Sequence, residues 1–255
     1  MFESAKLKLE RAQQHVRDLD AAFIAFIDSR PHRPRIKAEP EDDGNTWRVW
    51  IEIIEDRPLR PDLSLLLGDA IHNLRCVMDH LMWELIGIDG GTQNRKTKLP
   101  VGRSRIDFEA SARGAITPVQ ATKDFLADLA IYPSGQGERL YAIHTLDNAD
   151  KHTVLTPVLC FTELRDVLLI DSATGKRIES DPIYIGAVEV GGSASFEIPR
   201  GFGIDADNRI HATPDILFGK VDCVPGEPII PTLAAFEYEV ERLIEQFERF
   251  VGERL

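Results

Sequence analysis

Apolar side chains at Leu7, Leu9, Ala12, Val16, Leu19, Phe23, Phe26 and Ile27 recur at roughly helical spacing among Lys, Glu, Arg and Gln, which predicts a helix over residues 3–29. The run Arg30-Pro31-His32-Arg33-Pro34 ends it, because proline lacks an amide donor and biases its predecessor away from helix. Trp47, Val49, Ile51 and Ile53 then alternate with Arg48, Trp50, Glu52 and Ile54, so 46–55 reads as a strand with one apolar face. With a strand over 35–39 and turn-forming residues at 41–45, the pair predicts a β-hairpin. Pro61 and Asp62 suit a helical first turn and open a long helix to about Ile86. Residues 87–103 read as an exposed loop, followed by short helices over 105–113 and 118–131 and a longer one over 138–151. Past Pro157 the composition favours strands, at 154–161, 167–171, 183–190, 195–198 and 215–222. A stripe of Leu233, Phe236, Val240, Leu243, Ile244, Phe247 and Val251 predicts a last helix over 231–254.

Helix, hairpin, helices, β-rich segment and helix do not alternate as a doubly wound fold does, so the order predicts an α+β protein. The simplest assembly is one domain over 1–255. Residues 1–30, 60–152 and 230–255 would form an antiparallel helical bundle, and the hairpin with a β-rich insertion over about 154–224 would form a sheet beside it. No internal repeat is visible.

Composition narrows the function classes. With 43% apolar and 28% charged residues in 255, the chain is of ordinary globular type and long enough to bury a sizeable core. No run approaches the length of a membrane span, and the amino-terminal residues lack a signal peptide's apolar stretch, so a cytoplasmic protein is expected, with no membrane partner. Cys76, Cys160 and Cys223 are odd in number and lack CxxC spacing, which argues against a disulfide framework and a cysteine zinc site. A net charge of -12 opposes non-specific nucleic-acid binding, and no DNA partner is expected. A local basic groove is still open. Arg30, His32, Arg33, Arg35 and Lys37 make one basic stretch, and Arg95, Lys96, Lys98, Arg103 and Arg105 another. Either also reads as an ordinary solvated segment.

Chemistry concentrates on two helix segments. At about 100° per residue, Leu63, Leu67, Ala70, Leu74, Val77, Met78, Leu81 and Leu85 fall on one side of the long helix. The other side carries Asp69, His72, Asn73, Cys76, Asp79, His80 and Trp83, with Arg75 at its edge. A solvated stripe would favour Lys, Glu, Gln and Arg; this one uses the residues of a packed polar site. His72 can approach Asp79 or Cys76, Asn73 can approach His80, and Asp69 can approach Asn73. The second segment runs His144-Thr145-Leu146-Asp147-Asn148-Ala149-Asp150-Lys151-His152. Asp150 falls among Ala142, Ile143, Leu146 and Ala149, so it needs a partner, Arg75 first or else Lys151 or His152. The two polar faces are expected to converge.

Metal binding could draw on His72, His80, Asp147, Asp150 and His152, but no HExxH or comparable spacing is present, and neither metal nor cofactor is expected. A Cys76 nucleophile would lack the helix N-terminal field that usually activates a thiol. No glycine-rich phosphate loop or dinucleotide fingerprint occurs. General acid–base chemistry with an arginine clamp is the remaining reading. The segment Asn73-Leu74-Arg75-Cys76-Val77-Met78-Asp79-His80 resembles the Arg, four to six residues, His motif of the HEPN superfamily. It departs from the family in placing Cys76 directly after the arginine and in its β-rich insertion.

The resemblance implies a helical bundle, a homodimer with paired sites, RNA as partner, and metal-independent endoribonuclease activity or an RNA-binding derivative, in a toxin or defence system. Arg75 would hold the scissile phosphate and His80 would move protons, with Asn73 and Asp79 beside them. Asp69, His72, Asp147, Asn148, Asp150, Lys151 and His152 would support the site. The alternatives are a non-catalytic scaffold whose polar clusters are structural, and a metal-dependent hydrolase.

Overall fold

The computed structural model describes residues 1–40, 47–189, 192–198, 201–204 and 211–254. In chain order these form α1 (Glu3–Asp28), β1 (His32–Pro40), β2 (Trp47–Glu55), α2 (Pro61–Ile88), α3 (Arg105–Arg113), α4 (Gln120–Asp128), α5 (Glu138–His152), β3 (Pro157–Arg165), β4 (Leu168–Asp171), β5 (Arg177–Glu179), β6 (Ile183–Glu189), β7 (Ser193–Ile198), β8 (Phe202–Ile204), β9 (His211–Phe218) and α6 (Ile229–Gly252). The protein is α+β. The hairpin turn expected at 41–45 lies outside the described residues.

Local chemistry sets the helix ends. Ser104 Oγ accepts the Asp107 N–H and starts α3 at the predicted residue. α2 runs two residues beyond its predicted end, to Ile88, and is closed by Gly90 at φ 74°, with Gly91 N bonded to Ile86 O and Gly90 N to Gly87 O. α4 stops short of residue 131 because Ala130 takes a left-handed φ of 47°.

Expected as one domain, the chain groups into two compact units. The first holds residues 1–21, 61–156 and 218–255; the second holds 22–60 and 157–217. In the first, the predicted α2 stripe from Leu63 to Leu85 and the α6 stripe from Leu233 to Val251 are buried. Each such Leu, Phe, Met or Val removed from water contributes roughly 1.5–3 kcal/mol before entropy is counted. Side-chain pairings give the helix directions. Phe2 meets Phe247 edge to face at 5.7 Å and Gln13 meets Glu241, so α1 runs antiparallel to α6. Ser4 meets Glu84 and Lys8 meets Asn73, so α1 is also antiparallel to α2.

The second unit corrects the expectation of one sheet: its described strands form three three-stranded sheets, ordered β1-β2-β7, β6-β3-β9 and β5-β4-β8. β1 pairs antiparallel with β2, Ile36 facing Ile51, and β2 pairs antiparallel with β7, Val49 facing Phe196. The predicted strand over 215–222 is replaced by β9, four residues earlier, and beyond it Gly219 N bonds Thr156 O. Among the described residues no helix is long and apolar enough to cross a membrane.

Candidate functional site

α2 and α5 run antiparallel with their polar sides together: Gly68 faces Asp150, His72 faces Asp147, and Arg75 faces His144. Steps of three or four residues along each helix keep one face in register, so the two segments converge.

Asp147 is 2% exposed. One carboxylate oxygen lies 2.8 Å from His72 Nδ1, and the other accepts from Lys151 Nζ. A carboxylate can only accept, so His72 carries a proton at Nδ1; in the neutral ring Nε2, 3.5 Å from Cys76 Sγ, is then the acceptor. The expected approach of His72 to Cys76 is therefore seen, but the carboxylate at His72 comes from α5 and not from Asp79.

Arg75 is 5% exposed. Its Nε donates to His144 Nδ1 at 3.2 Å. Nη1 lies 2.8 Å from Asp79 Oδ1, an ion pair, yet off the hydrogen-bonding direction, so that Nη1 is buried with no hydrogen-bond partner among the described residues. His144 accepts at Nδ1, which puts the proton of its neutral ring on Nε2, 2.9 Å from the Asn148 amide; the amide oxygen belongs at that end. Burial, and then the Arg75 charge, push His144 down to about 4, so it is neutral at neutral pH. Both its ring nitrogens are engaged, and it serves to position Arg75.

Asp79 Oδ1 also accepts the Leu99 N–H at 3.3 Å, which ties the loop after α2 to the helix. Between them opens a cleft of about 530 Å³, whose lining includes Arg75, His144, Lys96, Thr97, Lys98 and Ser111. Lys96 and Lys98 belong to the second basic stretch of the sequence. The first stretch is partly neutralised on the hairpin, where Arg33 pairs with Asp56 and Arg35 with Glu52.

His80 lies elsewhere. Five residues on from Arg75, it is turned by about 140° around α2. Its Nδ1 is 2.8 Å from Ser4 Oγ, and that hydroxyl donates to Glu84 Oε1 at 2.5 Å. The single hydroxyl proton goes to the carboxylate, so His80 donates from Nδ1, and in the neutral ring Nε2 is the acceptor. Asn73 also faces α1, accepting from Lys8 Nζ at 3.4 Å and donating to the backbone carbonyl of Asp69, not to its carboxylate. Arg75 and His80, expected in one site, thus sit on different sides of the helix, and His80 does not line the cleft.

Asp150 corrects a second expectation. It pairs with no cation among the described residues; its carboxylate fills the space over Gly68 and accepts the Leu155 N–H at 3.4 Å. His152 and Asp69 are exposed and stand outside the cluster. His144 is not among the site residues expected from the sequence, although His144, Asp147, Asn148 and Lys151 recur at i, i+3, i+4 and i+7 and so mark one polar stripe. Ser4, Lys8 and Glu84 carried no such signal, being brought together across 65 or more residues.

Among the described residues no group of three or more His, Cys, Asp or Glu is placed to hold a metal ion. Comparison with protein-family models, with curated proteins and with solved structures gives no match.

Proposed function

We propose that the chain is an HEPN-like RNA-binding protein that uses the Arg75 cleft as its phosphate site, acting as a homodimer and needing no metal. One observation carries the reading: a buried guanidinium with an unsatisfied Nη1 borders a cleft edged by Lys96 and Lys98. A buried donor left unbonded costs roughly 1–3 kcal/mol. A phosphate oxygen that displaced the misdirected Asp79 carboxylate would satisfy it, and a guanidinium held through Nε by His144 loses little further freedom on binding. The net charge of -12 would confine RNA to such a patch. Binding has this support, whereas cleavage would also need a proton-transfer group at the bound phosphate. His144 is engaged at both nitrogens, and His80, with its free Nε2, would have to come from the second copy of a dimer.

The test is fluorescence anisotropy with a labelled single-stranded RNA, alongside a cleavage assay in chelator. Lys96→Ala/Lys98→Ala is expected to weaken binding by about tenfold or more and to flatten its salt dependence by about one phosphate contact per lysine. Cleavage in chelator that vanishes in His80→Ala would establish the nuclease form. Binding that ignores both lysines would refute the cleft as the RNA site.

The scaffold reading has its own observation, the Arg75–Asp79 ion pair at 2.8 Å. No RNA binding, together with unfolding of Arg75→Ala, would favour it.

A further inference from the structure

We propose that Cys76 is a nucleophilic thiol served by His72 and Asp147, and that its reaction is exchange with low-molecular-weight disulfides. Cys76 is half-buried at the surface of α2, with Sγ 3.5 Å from His72 Nε2. His72 in turn is held through Nδ1, 2.8 Å from the buried Asp147, whose second oxygen is taken by Lys151. Thiol, imidazole and carboxylate follow one another in the order an activated nucleophile requires: a base within reach and a third group orienting that base. Asp147 selects the productive tautomer, because a neutral His72 with its proton on Nδ1 has Nε2 to receive the proton of the thiol.

The other two cysteines lack this arrangement. Cys160 is buried and pushed up to about 11, and Cys223 Sγ donates to the Ala142 carbonyl at 3.9 Å. Burial also raises the Cys76 thiol, with Lys8 and Arg75 acting against the shift and Asp79 and Asp147 with it. Its resting form is therefore the thiol, and a thiolate arises only as His72 takes the proton.

The position of Cys76 selects the reaction. Acyl transfer passes through an oxyanion that needs converging N–H donors, and within α2 the backbone N–H groups around residue 76 are committed to the helix. Disulfide exchange forms no oxyanion. The Cys76 proton moves to His72 Nε2, and the thiolate attacks one sulfur of the disulfide. A bond from Cys76 to that sulfur forms as the original S–S bond breaks. The second sulfur leaves as a thiolate and takes the proton from His72, so Cys76 is oxidised to a mixed disulfide and half of the reagent is reduced to a thiol.

The experiment treats the reduced full-length protein with dithiodipyridine at neutral pH, follows thiopyridone release, and maps the modified peptide by mass spectrometry. Cys76 is expected to react first, about tenfold faster than Cys223. His72→Gln, a change at a half-exposed side chain, and Asp147→Asn should each slow it about tenfold, and the variant and wild-type rates should converge in alkaline solution, where hydroxide replaces the base. Circular dichroism and a urea midpoint check that each variant is folded. The proposal fails if Cys76 reacts no faster than Cys223, if folded His72→Gln reacts at the wild-type rate at neutral pH, or if its deficit persists unchanged in alkali.

Discussion

A methyl group added at Gly68 would stand 2.5 Å from one oxygen of Asp150 and 2.8 Å from the other, well inside van der Waals contact. Glycine within a helix costs about 1 kcal/mol relative to alanine, so the residue is kept for the space it leaves. Moving the Asp150 carboxylate aside disturbs its 3.4 Å bond from the Leu155 N–H. Gly68→Ala is therefore expected to destabilise the protein by roughly 1–3 kcal/mol in urea unfolding. Adding Asp150→Ala should recover part of that loss; strict additivity of the two changes would contradict the contact. His144 supplies a pH dependence. Its folded pKa of about 4 lies below the ordinary histidine value of 6.5, so on acidification the unfolded chain takes up the proton first. Its contribution is fully present above pH 6.5 and is lost as the pH falls towards about 4. His15 and His32, also lowered by burial, add to the same acid slope. Urea midpoints measured across that window should therefore fall less steeply for His144→Gln than for wild type, and identical slopes would show that His144 is not held neutral.

At the scale of elements, the α2–α5 pair rests on Asp147. Asp147→Asn removes the acceptor for Lys151 and weakens the hold on His72, and is expected to cost roughly 1–3 kcal/mol. Lys151, half of whose side chain is in solvent, should cost under about 1 kcal/mol when changed to Ala. Equal losses would mean that the ion pair, and not the buried carboxylate, holds the helices. The apolar spacing of α1, α2, α5 and α6 made these helices legible, because each buries a stripe repeating near the helical period. The convergence of the two polar segments was legible from the type of residue they use. Their pairings were not. The wheel placed Asp150 correctly on an apolar side but not its partners, a glycine and a backbone N–H, which have no charge to signal them. β5 and β8, of three residues each, are too short for periodicity, and the β2–β7 register joins strands more than a hundred residues apart, which no local pattern records.

For the whole molecule, the acidic net charge and the cationic cleft work in opposite directions, and the proposed RNA binding requires the cleft to prevail locally. The proposed binding, if carried by two lysines and one arginine, should weaken steadily with salt, and a net charge of -12 opposes non-specific RNA binding. The most direct measurement follows the Arg75 Nε–H resonance, assigned by its loss in Arg75→Lys, while ¹⁵N-labelled protein is titrated with a short single-stranded RNA at low salt. RNA seated in the cleft is expected to shift that resonance saturably, together with the backbone amides of Lys96, Thr97 and Lys98, and added salt should reverse the shift. RNA that binds, by anisotropy, while the Arg75 resonance and the 96–98 amides stay in place would contradict the cleft as the RNA site.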